Sequence, residues 1–213
     1  MMGWIKSNGR FLVWFAAYAL FAFMAYEVTM LRQERCFHGF LEANLFSLDR
    51  YSFSILNFFI PYLYLMKRPF ESVFFVARCK ESHLLHMVFY GLKICLLYIG
   101  ITMFFFLGIP FLDGFRLTFE IYLILNFLNL FSYLFTTYLL YVMILLLSRK
   151  QMLAILGSMA INWVLMLTPA ILNTINEELA LRFISFLLTS YTLIAVIMLG
   201  IIYLVFRRRD MVI

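Results

Sequence analysis

Long runs of apolar residues constrain this chain more than any other feature of its sequence. Several of them approach the roughly 20 residues that a helix needs to cross the hydrocarbon core of a bilayer. Charged residues make up only 13% of the chain, against about 25% in a typical soluble domain. A membrane barrel would instead show alternating strands of roughly ten residues. The sequence therefore predicts an all-α, polytopic integral membrane protein, a single transmembrane domain over residues 1–213.

Six segments of the sequence are predicted to span the membrane. They cover residues 11–31, 51–66, 87–109, 119–147, 152–171 and 183–206. If the second segment, which contains Asn57 and Pro61, does not cross, the count becomes five and the topology changes. The fourth is longer than the bilayer core at about 1.5 Å per residue, so we expect it to tilt or to project beyond the core.

Basic residues fall mostly on one side of these spans. Twelve of the 17 lie there: Lys6, Arg10, Lys67, Arg68, Arg78, Lys80, Lys93, Arg149, Lys150, Arg207, Arg208 and Arg209. The other side holds Arg32, Arg35, Arg50, Arg116 and Arg182, with eight of the 11 acidic residues. Because Lys and Arg concentrate on the cytoplasmic side, we expect both termini in the cytoplasm of a cell. The net charge of +6 then reflects topology, and no nucleic-acid partner is expected.

A charged stretch, here called the basic segment (residues 67–86), separates the second predicted span from the third. Apolar residues at helical spacing indicate an amphipathic helix from Glu71 to His86, lying in the plane of the membrane interface. A basic loop that only enforces topology explains the same residues. We predict that a soluble partner docks on this segment, and the residues predicted to couple to it are Phe70, Phe74, Arg78 and Lys80.

The sequence carries no readable catalytic centre. It lacks the phosphate-binding pattern GxxxxGK[ST]. Cys79, His83 and His86 share one helical face, but no fourth zinc ligand or metal motif accompanies them. Residues 177–182 match EExxxR, the first motif of intramembrane CAAX-type proteases, whose later histidines have no counterpart after His86. We therefore predict no catalytic residue, metal or cofactor in this chain, and a membrane enzyme is the third hypothesis.

Polar side chains recur every three or four residues along the fourth predicted span. They are Tyr122, Asn126, Asn129, Tyr133 and then Thr136 or Thr137. Buried amides need hydrogen-bond partners that lipid does not offer, so this face must point at other helices or at a cavity. Interhelical hydrogen bonding is one interpretation. The other is a substrate path lined by Asn126, Asn129, Tyr133 and Thr137, and the same polar interior is expected to include Asn57, Ser158 and Asn162.

The architecture resembles that of a small permease subunit of the ABC-2 type. Six spans with both ends inside carry the resemblance, together with the basic stretch RPFESVFFVARCKESHLLHMVFYGLK between spans two and three. In that family the corresponding segment contributes a coupling helix to a separate ATPase. The resemblance implies an ATP-driven exporter subunit that moves an amphiphilic peptide or lipid-like substrate. Its partners would be an ABC-type ATPase, which holds the ATP, and a second permease subunit, identical or similar. The alternative is a non-transporting immunity or scaffold subunit.

Docking through the basic segment makes a prediction about two substitutions. Arg78→Glu reverses a charge and Phe74→Asp removes an apolar contact, so each is expected to abolish coupling to the partner. Neither is expected to unfold the spans, because both residues lie outside them. Copurification of the partner with the tagged chain measures the coupling. Unchanged coupling in both variants would contradict the docking prediction.

Overall fold

The computed structural model of the protein describes residues 2–31, 55–65, 80–113, 121–148, 150–175 and 193–205. Regular structure within these ranges is entirely helical, which confirms the predicted all-α class for the part described. A π-helical turn, Ile55–Phe59, leads directly into α2. The six α-helices are α1 (Met2–Leu31), α2 (Ile60–Leu65), α3 (Lys80–Leu112), α4 (Ile121–Ser148), α5 (Gln151–Ile175) and α6 (Leu193–Val205).

Three of the described helices contain stretches long and apolar enough to cross a membrane. These stretches are Gly9–Val28 in α1, Leu85–Leu112 in α3 and Phe127–Ser148 in α4. The 28 residues in α3 measure about 42 Å at 1.5 Å per residue, more than the roughly 30 Å of a bilayer core. The structure thus supports the coarser prediction of a membrane protein. Helices α4 and α5 overlap the fourth and fifth predicted spans with bounds that differ by at most four residues, and α6 lies within the sixth, whose residues 183–192 are outside the described ranges.

Two helices begin earlier than the apolar runs that predicted them. Helix α1 starts at Met2, so the basic arm placed before residue 11 is helical. Helix α3 starts at Lys80, inside the basic segment, so its first two turns belong to a long continuous helix. The predicted end of the amphipathic helix at His86 is wrong, because α3 continues to Leu112, and residues 71–79 of that predicted helix lie outside the described ranges. Helix α3 continues through residues 80–86 because they contain no Gly or Pro. Polar residues can mark a membrane boundary, but they do not end a helix.

The π-helical turn is explained by the proline that follows it. Pro61 has no N–H to offer the carbonyl of Asn57, and its ring crowds that carbonyl. Widening the turn moves the hydrogen-bond partner from the fourth to the fifth residue along the chain. The described stretch Ile55–Leu65 covers about 16 Å along its axis, roughly half of a bilayer core. A full crossing by residues 51–66 stays a prediction, because the ends of that segment lie outside the described residues.

Aromatic side chains fill the core where the helices meet. Helix α4 packs most extensively on α5, α3 lies between α1 and α4, and α2 contacts α1 and α5. The largest fully buried side chains are Tyr18, Tyr62, Tyr98, Tyr133, Tyr138, Tyr141, Phe59 and Phe106. Tyrosine adds a polar hydroxyl to a large apolar ring, and a buried hydroxyl needs a hydrogen-bond partner. The tyrosines therefore determine which helix faces can meet.

The contact between α3 and α4 depends on a glycine. The ring of Tyr138 lies against Gly91, and its hydroxyl donates to the carbonyl of Met87 at 3.0 Å. A Cβ atom on Gly91 would come closer than 3.0 Å to three atoms of this ring. A small residue here lets the two helices approach closely, as is common between membrane helices.

Replacement of this glycine is expected to separate α3 from α4. Gly91→Ala forces the buried Tyr138 ring away and should lower the free energy of unfolding by about 1–3 kcal/mol. Unfolding in a mild detergent, followed by circular dichroism, measures the change. Gly108→Ala is the matched control, because a Cβ there meets nothing within 4 Å. The control should be neutral or stabilising by up to about 1 kcal/mol, and equal destabilisation of both variants would refute the close contact.

Candidate functional site

The residues predicted to couple to a partner lie mostly outside the described part of the structure. Phe70, Phe74 and Arg78 fall there, and Lys80 is the first residue of α3. The predicted docking of a partner therefore stays a prediction. His86 is exposed on α3. Among the side chains that the structure describes, no group of three or more His, Cys, Asp or Glu is arranged to hold a metal ion.

The predicted polar stripe of α4 meets polar residues of α5. Tyr133 is buried, and its hydroxyl donates to Oδ1 of Asn162 at 3.1 Å. The amide nitrogen of Asn162 donates in turn to the carbonyl of Ser158 at 2.8 Å. Ser158, also buried, donates its hydroxyl to the carbonyl of Ala154. The expectation of a shared polar interior is thus confirmed for Ser158 and Asn162, whereas it is wrong for Asn57, whose side chain is exposed.

The threonine of the predicted path is bonded within its own helix. Thr137 is buried, and its Oγ1 donates to the carbonyl of Tyr133 at 3.0 Å. We name the set Tyr133, Thr137, Ser158 and Asn162 the polar seam. Asn129, about one turn before Tyr133 in α4, is half-buried. Asn126 also lies in α4, but its side chain is outside the described part. The contacts of the seam match interhelical hydrogen bonding, the first of the two interpretations.

A second cluster joins α1, the π-helical turn, α2 and α3 through aromatic rings. Trp14 and Tyr62 have ring centroids 4.9 Å apart, Tyr18 and Phe58 are 4.7 Å apart, and Phe59 meets Tyr98 edge-on at 4.9 Å. Pairs at such distances contribute roughly 0.5–1.5 kcal/mol beyond their burial. We name these residues, Trp14, Tyr18, Phe58, Phe59, Tyr62 and Tyr98, the aromatic cluster.

Three hydrogen bonds fix the orientation of the aromatic cluster. The indole nitrogen of Trp14 donates to the carbonyl of Phe58 at 2.9 Å, inside the π-helical turn. The hydroxyl of Thr102 donates to the carbonyl of Tyr98 at 2.9 Å. The Thr102 hydroxyl has one proton, and the bond to Tyr98 uses it. In the 2.9 Å contact between Tyr18 and Thr102, the hydroxyl of Tyr18 is therefore the donor. Helix α1 therefore holds both the irregular turn and the middle of α3.

The C-terminal ends of α1 and α3 are also joined. The hydroxyl of Tyr26 donates to the carboxylate of Asp113, which follows α3 directly. A charged acceptor makes this bond stronger than one between neutral groups. Sequence reasoning missed it, as it missed the bonds of Trp14 and Tyr18, because the partners are far apart in the chain. The available signal was the spacing of Trp14, Tyr18 and Tyr26 by four and eight residues, which places them on one face of α1.

Two open grooves lie along α3. The first, of about 790 Å³, runs between α1 and α3 and is lined by Phe15, Lys93, Gly100 and Phe104 among others. The second, of about 400 Å³, lies between α3 and α4, and its lining is entirely apolar. Neither groove is lined by Asn129, Tyr133 or Thr137. These surfaces are suited to hydrocarbon, and the polar seam is separate from both.

A comparison of the chain with protein-family models, with curated proteins and with solved structures finds no match. The features that bear on function are therefore the polar seam, the aromatic cluster, the two grooves and the continuity of α3 from the basic segment.

The polar seam predicts a measurable coupling between α4 and α5. Tyr133→Phe removes only the hydroxyl, and Asn162→Ala removes its acceptor, so a double-mutant cycle isolates their hydrogen bond. We expect a coupling free energy of about 0.6–1.7 kcal/mol, the range found for such bonds in membranes. Unfolding by sodium dodecyl sulfate from mild detergent micelles provides the four free energies.

Thr168→Val is the control for this cycle. The Thr168 hydroxyl donates to the carbonyl of Val164 within α5 itself. Combined with Tyr133→Phe, it should give additive free energies, since the two sites share no partner. A coupling of zero between Tyr133 and Asn162 would show that the seam does not hold α4 to α5.

Proposed function

We propose that this chain is the membrane-spanning permease subunit of an ATP-driven exporter of the ABC type. In this proposal a separate ATPase binds the basic segment, and a second permease subunit, identical or similar, completes the transporter. The observation that carries the proposal is the continuity of α3. This helix begins at Lys80, inside the basic segment, and continues to Leu112 without interruption. A displacement of its first turns therefore moves the part that is long and apolar enough to cross a membrane.

The contacts of α3 support transmission of such a displacement to its neighbours. About two turns from Lys80, the carbonyl of Met87 accepts the hydroxyl of Tyr138 from α4. About six turns from Lys80, Thr102 accepts the hydroxyl of Tyr18 from α1. If α3 moves relative to α1 or α4, the bond to that helix must break, or that helix must move together with α3. Rigid-body movement of packed helices is an established way to switch between two states.

The proposal includes six spans with both termini in the cytoplasm. Three stretches meet the criterion of length and composition, as given above. Helix α5 supports a further crossing, because its 25 residues measure about 38 Å. The distribution of basic residues supports the orientation. The apolar grooves along α3 favour a substrate with hydrocarbon surface, such as an amphiphilic peptide or a lipid-like molecule.

A non-transporting immunity or scaffold subunit is the second candidate. The polar seam favours it, because Tyr133 and Thr137, predicted to line a substrate path, are buried with their hydroxyls bonded to protein groups. A protein that only binds other membrane helices needs no polar path. The two candidates differ in their partner, which is a soluble ATPase for one and membrane proteins for the other.

Purification of the tagged chain in mild detergent, with mass spectrometry of the copurifying proteins, separates the two candidates. The transporter predicts a stoichiometric ATPase and ATP turnover by the complex. Arg78→Glu should release the ATPase. Arg149→Glu is the matched control, since Arg149 is placed on the same side of the membrane but outside the basic segment. It should leave the complex intact.

Two results would contradict this proposal, the first for the transporter as a whole and the second for docking on the basic segment. One is recovery of the chain alone or with membrane proteins only, which supports the immunity or scaffold candidate. The other is equal loss of the ATPase from both charge-reversal variants, which would mean that general electrostatic attraction, and not the basic segment, holds the partner.

A further inference from the structure

A single lysine lies in the larger groove, within an otherwise uncharged lining. The groove between α1 and α3 has a volume of about 790 Å³, and among the described residues that line it Lys93 is the charged one. Its other lining residues are aromatic, aliphatic or glycine. Lys93 is exposed. A charged residue within a membrane-spanning helix is costly unless a partner neutralises it, and such residues are functional candidates.

Lys93 lies deep enough to be inside the hydrocarbon core but close enough to its edge for the ammonium to reach the lipid headgroups. It follows Leu85, the start of the apolar stretch of α3, by about 12 Å along the helix. The stretch exceeds a bilayer core by about 12 Å in all, so a centred helix extends roughly 6 Å beyond the core at each end. Lys93 then lies about 6 Å below the edge of the core, and its side chain reaches that edge.

The length of the groove corresponds to one leaflet of the bilayer. From Lys93 to Phe104, two of its lining residues, the distance along α3 is about 16 Å. Half of a bilayer core is about 15 Å. Gly100 lies between them, and a Cβ at that position would meet nothing within 4 Å. With the helix centred as above, Gly100 lies about 16 Å below the edge of the core, near the middle of the membrane, and Phe104 lies beyond the middle. A hydrocarbon chain that starts at the edge of the core, which the Lys93 side chain reaches, therefore has open space along the groove and comes to the middle of the membrane near Gly100.

We propose that this groove is a binding site for an anionic phospholipid. The ammonium of Lys93 pairs with the phosphate of the headgroup, and one acyl chain lies over Gly100 toward Phe104. Charge complementarity selects this occupant, because a zwitterionic lipid brings its own cation to the phosphate. Basic positions between membrane helices near the cytoplasmic surface bind anionic headgroups in this way. The proposal does not depend on an ATPase partner, so it can hold or fail independently of the transporter.

The test uses the full chain in nanodiscs that contain equal amounts of phosphatidylglycerol and phosphatidylcholine. The protein is then extracted in mild detergent and washed, and the retained lipids are measured by mass spectrometry. We expect the unsubstituted protein to retain phosphatidylglycerol preferentially. Lys93→Gln should reduce that preference roughly fivefold, the effect of one basic residue near the membrane surface. Lys93→Arg keeps the charge and should retain the preference.

A second pair of variants tests the acyl chain. Gly100→Leu fills the groove and should lower retention of both lipids. Gly108→Leu is the matched control on the same helix, since its added Cβ also meets nothing and Gly108 does not line the groove. It should behave as the unsubstituted protein. The two variants of Lys93 test the site even if a leucine variant fails to fold.

Three results would overturn the proposal. The first is an unsubstituted protein without preference between the lipids. The second is an equal preference in Lys93→Gln, which would show that Lys93 does not bind the headgroup. The third is disruption of a dimer by Gly100→Leu with no change in retained lipid, because the groove would then hold a second copy of this chain.

Discussion

Hydrogen bonds from buried aromatic side chains hold the helices of this protein together. A bilayer core offers no water to a polar group, so each buried hydroxyl or indole nitrogen needs a protein partner. Trp14 bonds α1 to the π-helical turn, and Tyr18 and Tyr26 bond α1 to α3 and its end. Tyr138 bonds α4 to α3, and Tyr133 bonds α4 to α5. In lipid, apolar burial alone does not distinguish one helix face from another, whereas these bonds do.

Helix α3 is the central element of this arrangement. It contacts α1 on one side through the aromatic cluster and α4 on the other through Gly91 and Tyr138. Both grooves lie along it. Its first turns belong to the basic segment, where a docking site for a soluble partner is predicted. One helix thus connects a predicted docking site, a proposed lipid site and the packed core.

The sequence predicted the long helices well, because apolar runs near the length of a bilayer leave few alternatives. It also grouped Tyr133 with Ser158 and Asn162, since polar residues in lipid must find one another. It did not predict which atoms pair. Nor did it predict the faces of α1 and α3 that pack, because residues facing lipid and residues facing protein are both apolar, and hydrophobic periodicity carries little information. The π-helical turn was missed because Pro61 has several structural solutions, and contact with Trp14 favours this one.

The different surroundings of two tryptophans give the protein an optical property. Trp14 is 7% exposed and stacks among tyrosines, whereas Trp163 on α5 is 49% exposed and points away from the core. The ring centroids of Tyr62 and Tyr98 lie 4.9 and 6.2 Å from that of Trp14. Excitation energy absorbed by these two phenols is therefore transferred to the indole of Trp14, which emits it. A brominated acyl chain quenches the fluorescence of Trp163 by contact and does not quench that of the buried Trp14. In a Trp4→Phe variant, where Trp14 and Trp163 are the remaining tryptophans, the unquenched emission therefore reports whether α1, α2 and α3 stay packed, without any label.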